Sequence, residues 1–235
     1  GTQMDDIFLR TRLLIGPEAI NKLKSSRVAV FGVGGVGSFV TEALARASVG
    51  KIDIFDGDVV DATNINRQLI ALQSTIGMSK VEVMKKRLLD INPEIVVNAH
   101  HVVFNASNAS EFSFEDYDYI VDAIDMVSSK LLIISKAKAL GKNVISSMGM
   151  GNKINPSMIE ITDIFSTQNC PLARVMRREL KARKISSLKV AYSKEMPLYK
   201  PENKVNSSIS FVPSVGGLMI ASEIVRDLIK DYLKN

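Results

Sequence analysis

The chain has 235 residues, 46% hydrophobic and 23% charged, a composition that excludes a disordered, low-complexity or collagen-like protein. Thirty Lys+Arg against 25 Asp+Glu leave a net charge of +5, which hints at an acidic partner without saying where the charge sits. A single cysteine, Cys170, and two histidines, His100 and His101, exclude an internal disulfide, a closed structural zinc site and a His-rich metal centre.

Gly1 to Gln3 ahead of Met4 read as an added remnant rather than as part of the fold. The N-terminus has neither the basic nor the apolar region of a signal peptide. No run of 18 apolar residues suggests a transmembrane helix. With so few cysteines, a cytoplasmic location is expected.

Pro17 to Lys24 predicts a short helix with proline in its first turn. Arg27 to Phe31 (RVAVF) is an apolar run ended by glycines, hence a buried strand. Ser38 to Ala47 has helical periodicity, Lys51 to Phe55 reads as a strand, and Ser79 to Asp90 as a helix stopping before Asn92-Pro93. Strands follow at Ile95 to His101 and Tyr117 to Ala123, a helix at Ser128 to Leu140, and a strand at Asn143 to Met148. This rhythm of strand and helix predicts right-handed crossovers and a parallel sheet.

Past Met150 the rhythm breaks. Ser157 to Asp163 alternates as an edge or antiparallel strand. A helix over Asn169 to Lys184, a strand over Leu188 to Ser193, a polar loop over Glu195 to Asn206 and a long helix over Pro213 to Leu233 complete the chain. The expected architecture is α/β: a Rossmann-like, mostly parallel sheet with helices on both faces and a C-terminal antiparallel and helical elaboration. Residues 4–235 are expected to form one domain, a nucleotide-binding core over about 10–150 with the elaboration over about 151–235.

Gly32-Val33-Gly34-Gly35-Val36-Gly37 follows a strand and opens a helix. Glycines there allow a tight turn, close approach of a phosphate and tight packing of helix on strand. The helix N-terminus offers free N–H groups to an anion. Asp56 ends the second strand, where a carboxylate accepts hydrogen bonds from a ribose.

These features alone also suit NAD. The run from Asp56 to Gln68 (DGDVVDATNINRQ) and Lys80 favour a triphosphate. A dinucleotide is held largely by backbone amides, whereas the outer phosphates of ATP need fixed cations and polar donors. Asn64, Arg67 and Lys80 supply them. Asp125 follows the fourth strand at the sheet's carboxyl edge, and a carboxylate beside phosphates is best explained as a Mg2+ partner. No Gly-Lys-Ser/Thr follows the glycines, so this is not a Walker loop.

The runs GVGGVG, DGDVVDATNINRQ, GMSK, INPE and DAIDMVSSK together resemble the ubiquitin-activating-enzyme-like (ThiF/MoeB/HesA) superfamily over roughly residues 10 to 150. The resemblance implies adenylation of a carboxylate with ATP and Mg2+. It implies that Gly32, Gly34, Gly35 and Gly37 form the phosphate loop and that Asp56 binds ribose. It makes Asn64, Arg67 and Lys80 phosphate ligands and Asp125 the magnesium-side carboxylate. It also implies a homodimer, with Arg12 (in RTRLL) resembling an arginine that reaches ATP across the interface. From the residues alone, Arg12 equally suits a helix cap or a bridge to a surface carboxylate.

The chain lacks the paired Cys-x-x-Cys zinc ligands common among members that adenylate ubiquitin-like proteins. Cys170, just before Pro171, reads better as a small semi-buried residue than as a nucleophile. Arg174, Arg177, Arg178 and Lys181 fall on one helical face, with Leu172, Val175, Met176 and Leu180 opposite. Arg183, Lys184, Lys189 and Lys194 continue the basic stretch. Residues 174–194 hold eight basic residues and one acidic, Glu179, leaving the remainder slightly acidic. Such a one-sided stripe suits a phosphate backbone.

TRLLIG, DATNINRQ, DAIDMVSSK, CPLARVMRRELK and SISFVPSVGGLMIASEIVRDLI are similar to segments of the tRNA threonylcarbamoyladenosine dehydratases, a subfamily of that superfamily. That resemblance implies ATP-dependent cyclisation of a modified adenosine beside the tRNA anticodon, with tRNA on the basic stretch. It also brings a sulfur-relay protein into view as a partner. Met148-Gly149-Met150-Gly151 is a candidate substrate wall, or a plain turn. The rival expectations are adenylation of a small sulfur-carrier protein, an NAD-dependent dehydrogenase, and a non-catalytic RNA-binding module.

Overall fold

The computed structural model describes residues 6–198 and 206–233. Residues 1–5 and most of the polar loop expected over Glu195 to Asn206 lie outside the described residues. A seven-stranded sheet forms the centre. Its strands are β1 (Arg27–Phe31), β2 (Lys51–Phe55), β3 (Val96–His100), β4 (Tyr119–Asp122), β5 (Val144–Ser147), β6 (Ile159–Asp163) and β7 (Lys189–Ser193). Their order across the sheet is β3-β2-β1-β4-β5-β7-β6. Every neighbouring pair is parallel except β6 and β7, so the antiparallel end expected past Met150 is present.

The helices are α1 (Leu9–Ile15), α2 (Pro17–Lys24), α3 (Gly37–Arg46), α4 (Lys80–Ile91), α5 (Val127–Ala139), α6 (Pro171–Ala182) and α7 (Phe211–Leu228). Period-2 alternation along the strands divides the core between the two faces of the sheet. Val28 and Val30 pack with Ile52, Ile54, Leu44, Met84 and Ile220 under α3, α4 and α7. Ala29 and Phe31 point the other way, to Phe55, Phe104, Phe114, Leu131 and Met176 under α5 and α6. At about 25 cal/mol per Å2 of apolar area buried, filling both faces is the main stabilising term.

Helix α1 is an addition to the sequence-based expectation. It buries none of its residues, so its sequence carries no helical stripe to read. Gly16, at φ +90, separates it from α2. Helix α7 starts at Phe211, two residues earlier than expected, because Pro213 falls in the first turn, where its missing N–H costs nothing. It ends at Leu228 rather than Leu233, with a short 3-10 turn over Lys230–Tyr232. Gly217 lets α7 approach α3 closely: a Cβ there would lie 2.4 Å from the Val36 carbonyl oxygen.

The chain runs outward from β1 to β2 and β3, then returns to place β4 on the other side of β1. The gap between β1 and β4 at their carboxyl ends is thus a topological switch point, where open α/β sheets bind ligands.

Candidate active site

The glycine loop occupies that switch point. Gly32 has φ +97, and a Cβ on it would stand 2.4 Å from the Ala123 carbonyl oxygen just past β4. A Cβ on Gly37 would lie 1.7 Å from the Gly32 carbonyl oxygen. Neither position accepts another residue without moving backbone. These two glycines therefore press the start of α3 against the ends of β1 and β4, with the helix N-terminus facing the cleft.

Asp56 is fixed to this loop. Its Oδ2 accepts the Val33 N–H at 2.8 Å and its Oδ1 accepts the Asp58 N–H at 2.8 Å. Beneath it, Phe31 and Phe55, the last residues of β1 and β2, stack with centroids 4.2 Å apart, and Phe104 meets Phe31 edge-on. This aromatic layer pins both strand ends under the site. Nothing in the sequence signals it, because Phe31 and Phe55 each read alone as a strand terminus and Phe104 falls outside every strand.

The crossover after β2 brings Arg67 over the loop. A Cβ on Gly35 would sit 3.4 Å from Arg67 Cγ and 3.1 Å from Pro213 Cβ of α7. Arg67 Nη1 donates to the Thr63 carbonyl at 3.1 Å and to Asn66 Oδ1 at 2.9 Å. Asn66 Nδ2 in turn donates to Ser208 Oγ at 3.0 Å, tying the arginine to the segment before α7. Gln68 is buried beside Gly34. Asn64 Oδ1 accepts the Asp61 N–H at 2.8 Å, so this side chain shapes its own turn.

Lys80 opens α4 and is 5% exposed, with Nζ 3.8 Å from Asp58 Oδ2. Asp125 lies exposed on the turn between β4 and α5. Among the described residues no group of three or more His, Cys, Asp or Glu side chains is placed to hold a metal alone. A single exposed carboxylate fits magnesium, which is commonly held by one or two carboxylates together with substrate phosphates.

Two expected features have partners that the sequence does not name. Arg12 lies in the last turn of α1 and forms an ion pair with Asp6 of its own chain. None of its described hydrogen bonds or ion pairs reaches the glycine loop. The basic stretch is also less continuous than its sequence. Lys189 points to α7 and bonds Glu223 at 2.8 Å and Asp227 at 2.9 Å. Burial opposes its charge, but these bonds outweigh it and raise its pKa. Lys194 lies 3.7 Å from Glu160.

On α6 the stripe holds. Ala173, Met176 and Leu180 are buried, while Arg174, Arg178 and Lys181 are exposed. Ala173 takes the inner position expected for Val175, which is half-buried. Arg177 is also half-buried and donates to Thr167. Glu179 pairs with Arg183 at 2.9 Å and lies 3.6 Å from Arg178, and the Arg183 bond holds its carboxyl below the usual range. Arg183 and Lys184 follow the helix, exposed. Cys170 occupies the N-cap position of α6 without a side-chain capping bond and is 6% exposed within the apolar cluster, more buried than the semi-buried residue expected. Of the candidate substrate wall, Met148 and Met150 are buried and Gly149 faces open space.

Two surface depressions, of about 440 and 460 Å3, lie away from the glycine loop. One is beside Phe8, Arg46 and Arg87, and the other beside Tyr119, Lys138 and Lys189 at the opposite end of the strands. No helix among the described residues is long and apolar enough to cross a membrane.

The family model described as the ThiF family matches residues 8–235. A tRNA threonylcarbamoyladenosine dehydratase of Bacillus subtilis (strain 168) is 42% identical over 241 residues, covering 95% of this chain and 95% of that protein. The crystal structure of E. coli tRNA N6-threonylcarbamoyladenosine dehydratase in complex with ATP superimposes with a TM-score of 0.90 at 29% identity, covering 98% of each chain. The adenylyltransferase and sulfurtransferase UBA4 of Candida glabrata is 36% identical over 149 residues, 63% of this chain and 34% of that protein. The glycine loop at the switch point and this match along the whole described sheet agree: the chain belongs to the ThiF family.

Proposed function

We propose that this protein uses ATP to adenylate the carboxylate of threonylcarbamoyladenosine in tRNA and so drives its cyclisation. The observation that carries the reading is the glycine loop locked by Asp56 and overlain by Arg67, in a chain 42% identical to a B. subtilis dehydratase over 95% of both proteins. The threonyl carboxylate attacks the α-phosphate and pyrophosphate leaves. A group already on the substrate then closes on the acyl adenylate, AMP departs with the carboxylate oxygen, and the nucleoside has lost one water. The ring closure is intramolecular and needs no enzyme nucleophile, which agrees with the buried Cys170.

In this reading Gly32, Gly34, Gly35 and Gly37 bring backbone N–H groups to the phosphates. Asp56 turns its remaining lone pairs to the ribose. Arg67 and Lys80 stabilise charge on the leaving pyrophosphate, and Asn64 orients the turn that carries Arg67. Asp125 would hold Mg2+, which supplies charge neutralisation on the phosphates when bound. Arg174, Arg177, Arg178, Lys181, Arg183 and Lys184 form the tRNA-facing arm, in a cytoplasmic enzyme.

A homodimer is part of the proposal. Leu13 and Leu14, beside Arg12, are 77% and 83% exposed, an apolar surface suited to a second copy. Arg12 would leave Asp6 to act across that interface. Mixing Arg12→Ala and Lys80→Ala proteins should restore activity that neither has alone, and a silent mixture removes the cross-subunit role.

The deciding experiment incubates the protein with ATP, Mg2+ and threonylcarbamoylated tRNA and follows the nucleoside by mass spectrometry. Loss of one water is expected. No mass change from protein that still binds ATP would sink the reading. Pyrophosphate exchange driven instead by a carrier protein ending in Gly-Gly would support the alternative, adenylation of a sulfur carrier, and would also test for a sulfur-relay partner.

A further inference from the structure

A buried ionic cluster lies directly below the cleft, and none of the roles above uses it. Lys130 sits in the first turn of α5, where a cation opposes the helix dipole, and it is only 1% exposed. Position and burial both disfavour a lysine there. Its Nζ donates to Asp122 Oδ2 at 3.0 Å and to the Ser147 carbonyl at 2.7 Å. Asp122 is fully buried and its Oδ2 also accepts the Ser146 hydroxyl at 2.6 Å. Its Oδ1 accepts the Ile124 N–H at 3.2 Å.

These bonds join the two walls of the site. Asp122 ends β4, and its bond to Ile124 sets the turn that presents Asp125. The same turn supplies the Ala123 carbonyl packed on Gly32. Ser146 and Ser147 end β5 and lead into Gly149, which faces open space. One ammonium and one carboxylate thus hold the nucleotide-side turn and the opposite wall in a single register. A merely stabilising residue needs no polar atom here, since a buried ion pair replaced by apolar groups of similar size often leaves stability unchanged or improved.

We propose that Lys130, acting through Asp122 and the Ser147 carbonyl, is a positioning residue that aligns ATP's α-phosphate with the acceptor carboxylate. This rests on the adenylation reading for its kinetic consequence but not for its structural one. Misplacement of about 1 Å at a reacting pair costs roughly 100-fold in rate. Loss of the clamp therefore lowers kcat and leaves ATP binding nearly intact.

The test uses the full chain in three forms: wild type, Lys130→Met and the double variant Asp122→Asn/Lys130→Met. The double variant removes both charges and protects against simple misfolding of the single one. ATP affinity by calorimetry should stay within about threefold, while kcat for cyclisation falls roughly 10- to 100-fold. Hydrogen exchange should loosen residues 123–126 and 147–151 together, with β1 and β2 still protected. A folded double variant with wild-type kcat overturns the proposal. So does loosening of only one wall, or of the whole sheet equally. If the wild type makes no cyclised nucleoside, the dehydratase reading fails, and the exchange pattern still decides whether Lys130 couples the walls.

Discussion

The carboxyl edge of the sheet and the outer face of α6 handle charge in opposite ways. At the sheet edge, groups are held by backbone and buried partners: Asp56 by the Val33 amide, Asp122 by Lys130 and Ser146. On α6, Arg174 and Lys181 stand exposed, and Glu179 is the one acidic residue in the stretch. The first arrangement is preorganised, so small displacements are costly. The second is a tolerant field, in which each charge contributes a little and salt screens the sum.

The sharpest way to break this comparison is Gly37→Ala. The added Cβ would meet the Gly32 carbonyl oxygen at 1.7 Å, so backbone must move. We expect a stability loss of about 1–3 kcal/mol or more and no measurable ATP binding, read by thermal melting and calorimetry. Wild-type ATP affinity would mean that the loop is slack.

Next in size is Lys80→Ala. Removing a fixed cation from developing phosphate charge should lower kcat by roughly 100- to 1,000-fold with the fold retained. Wild-type turnover would take Lys80 out of the site.

The α6 field should respond more gently. Arg174→Glu/Arg178→Glu should raise KM for tRNA about tenfold and flatten its dependence on salt, with ATP affinity unchanged. An unchanged KM would move the tRNA elsewhere.

The smallest effect is a pH dependence from Asp53, which is 2% exposed and lies outside both regions. Burial alone would raise its pKa. Hydrogen bonds from Arg27, Asn98 and His100 outweigh burial and hold it below the usual carboxylate range. A depressed carboxyl adds stability above its unfolded pKa and loses it as pH falls through the folded value. Melting temperature should therefore drop from about pH 4 downward, and less steeply in Asp53→Asn. Equal slopes would assign the acid transition to other carboxylates.

Much of this molecule is legible in its sequence because the signals are local. The β1 run RVAVF followed by glycines, the Asp56 carboxylate at the next strand end and the proline at the start of α6 each carry their structural reason within a few residues. The α6 stripe is equally readable, since 3.6-residue periodicity places its faces. The charge count was less informative, because a sum over residues 174–194 cannot show that Lys189 turns inward to Glu223 and Asp227. Those partners are more than 30 residues away, and only the packing of α7 on the sheet brings them near. Helix α1 is illegible in the sequence for the converse reason: it buries nothing.

By itself, then, the sequence determined the alternation of strands and helices and the glycine turn, which follow from short-range sterics and periodicity, and the net excess of basic charge, which is a matter of composition. Tertiary structure alone decided which charges meet. The pairing of Lys130 with Asp122 and Ser147 and of Lys189 with α7 depends on strand order and helix docking. Electrostatic energy falls with distance in space, and distance along the chain does not specify it.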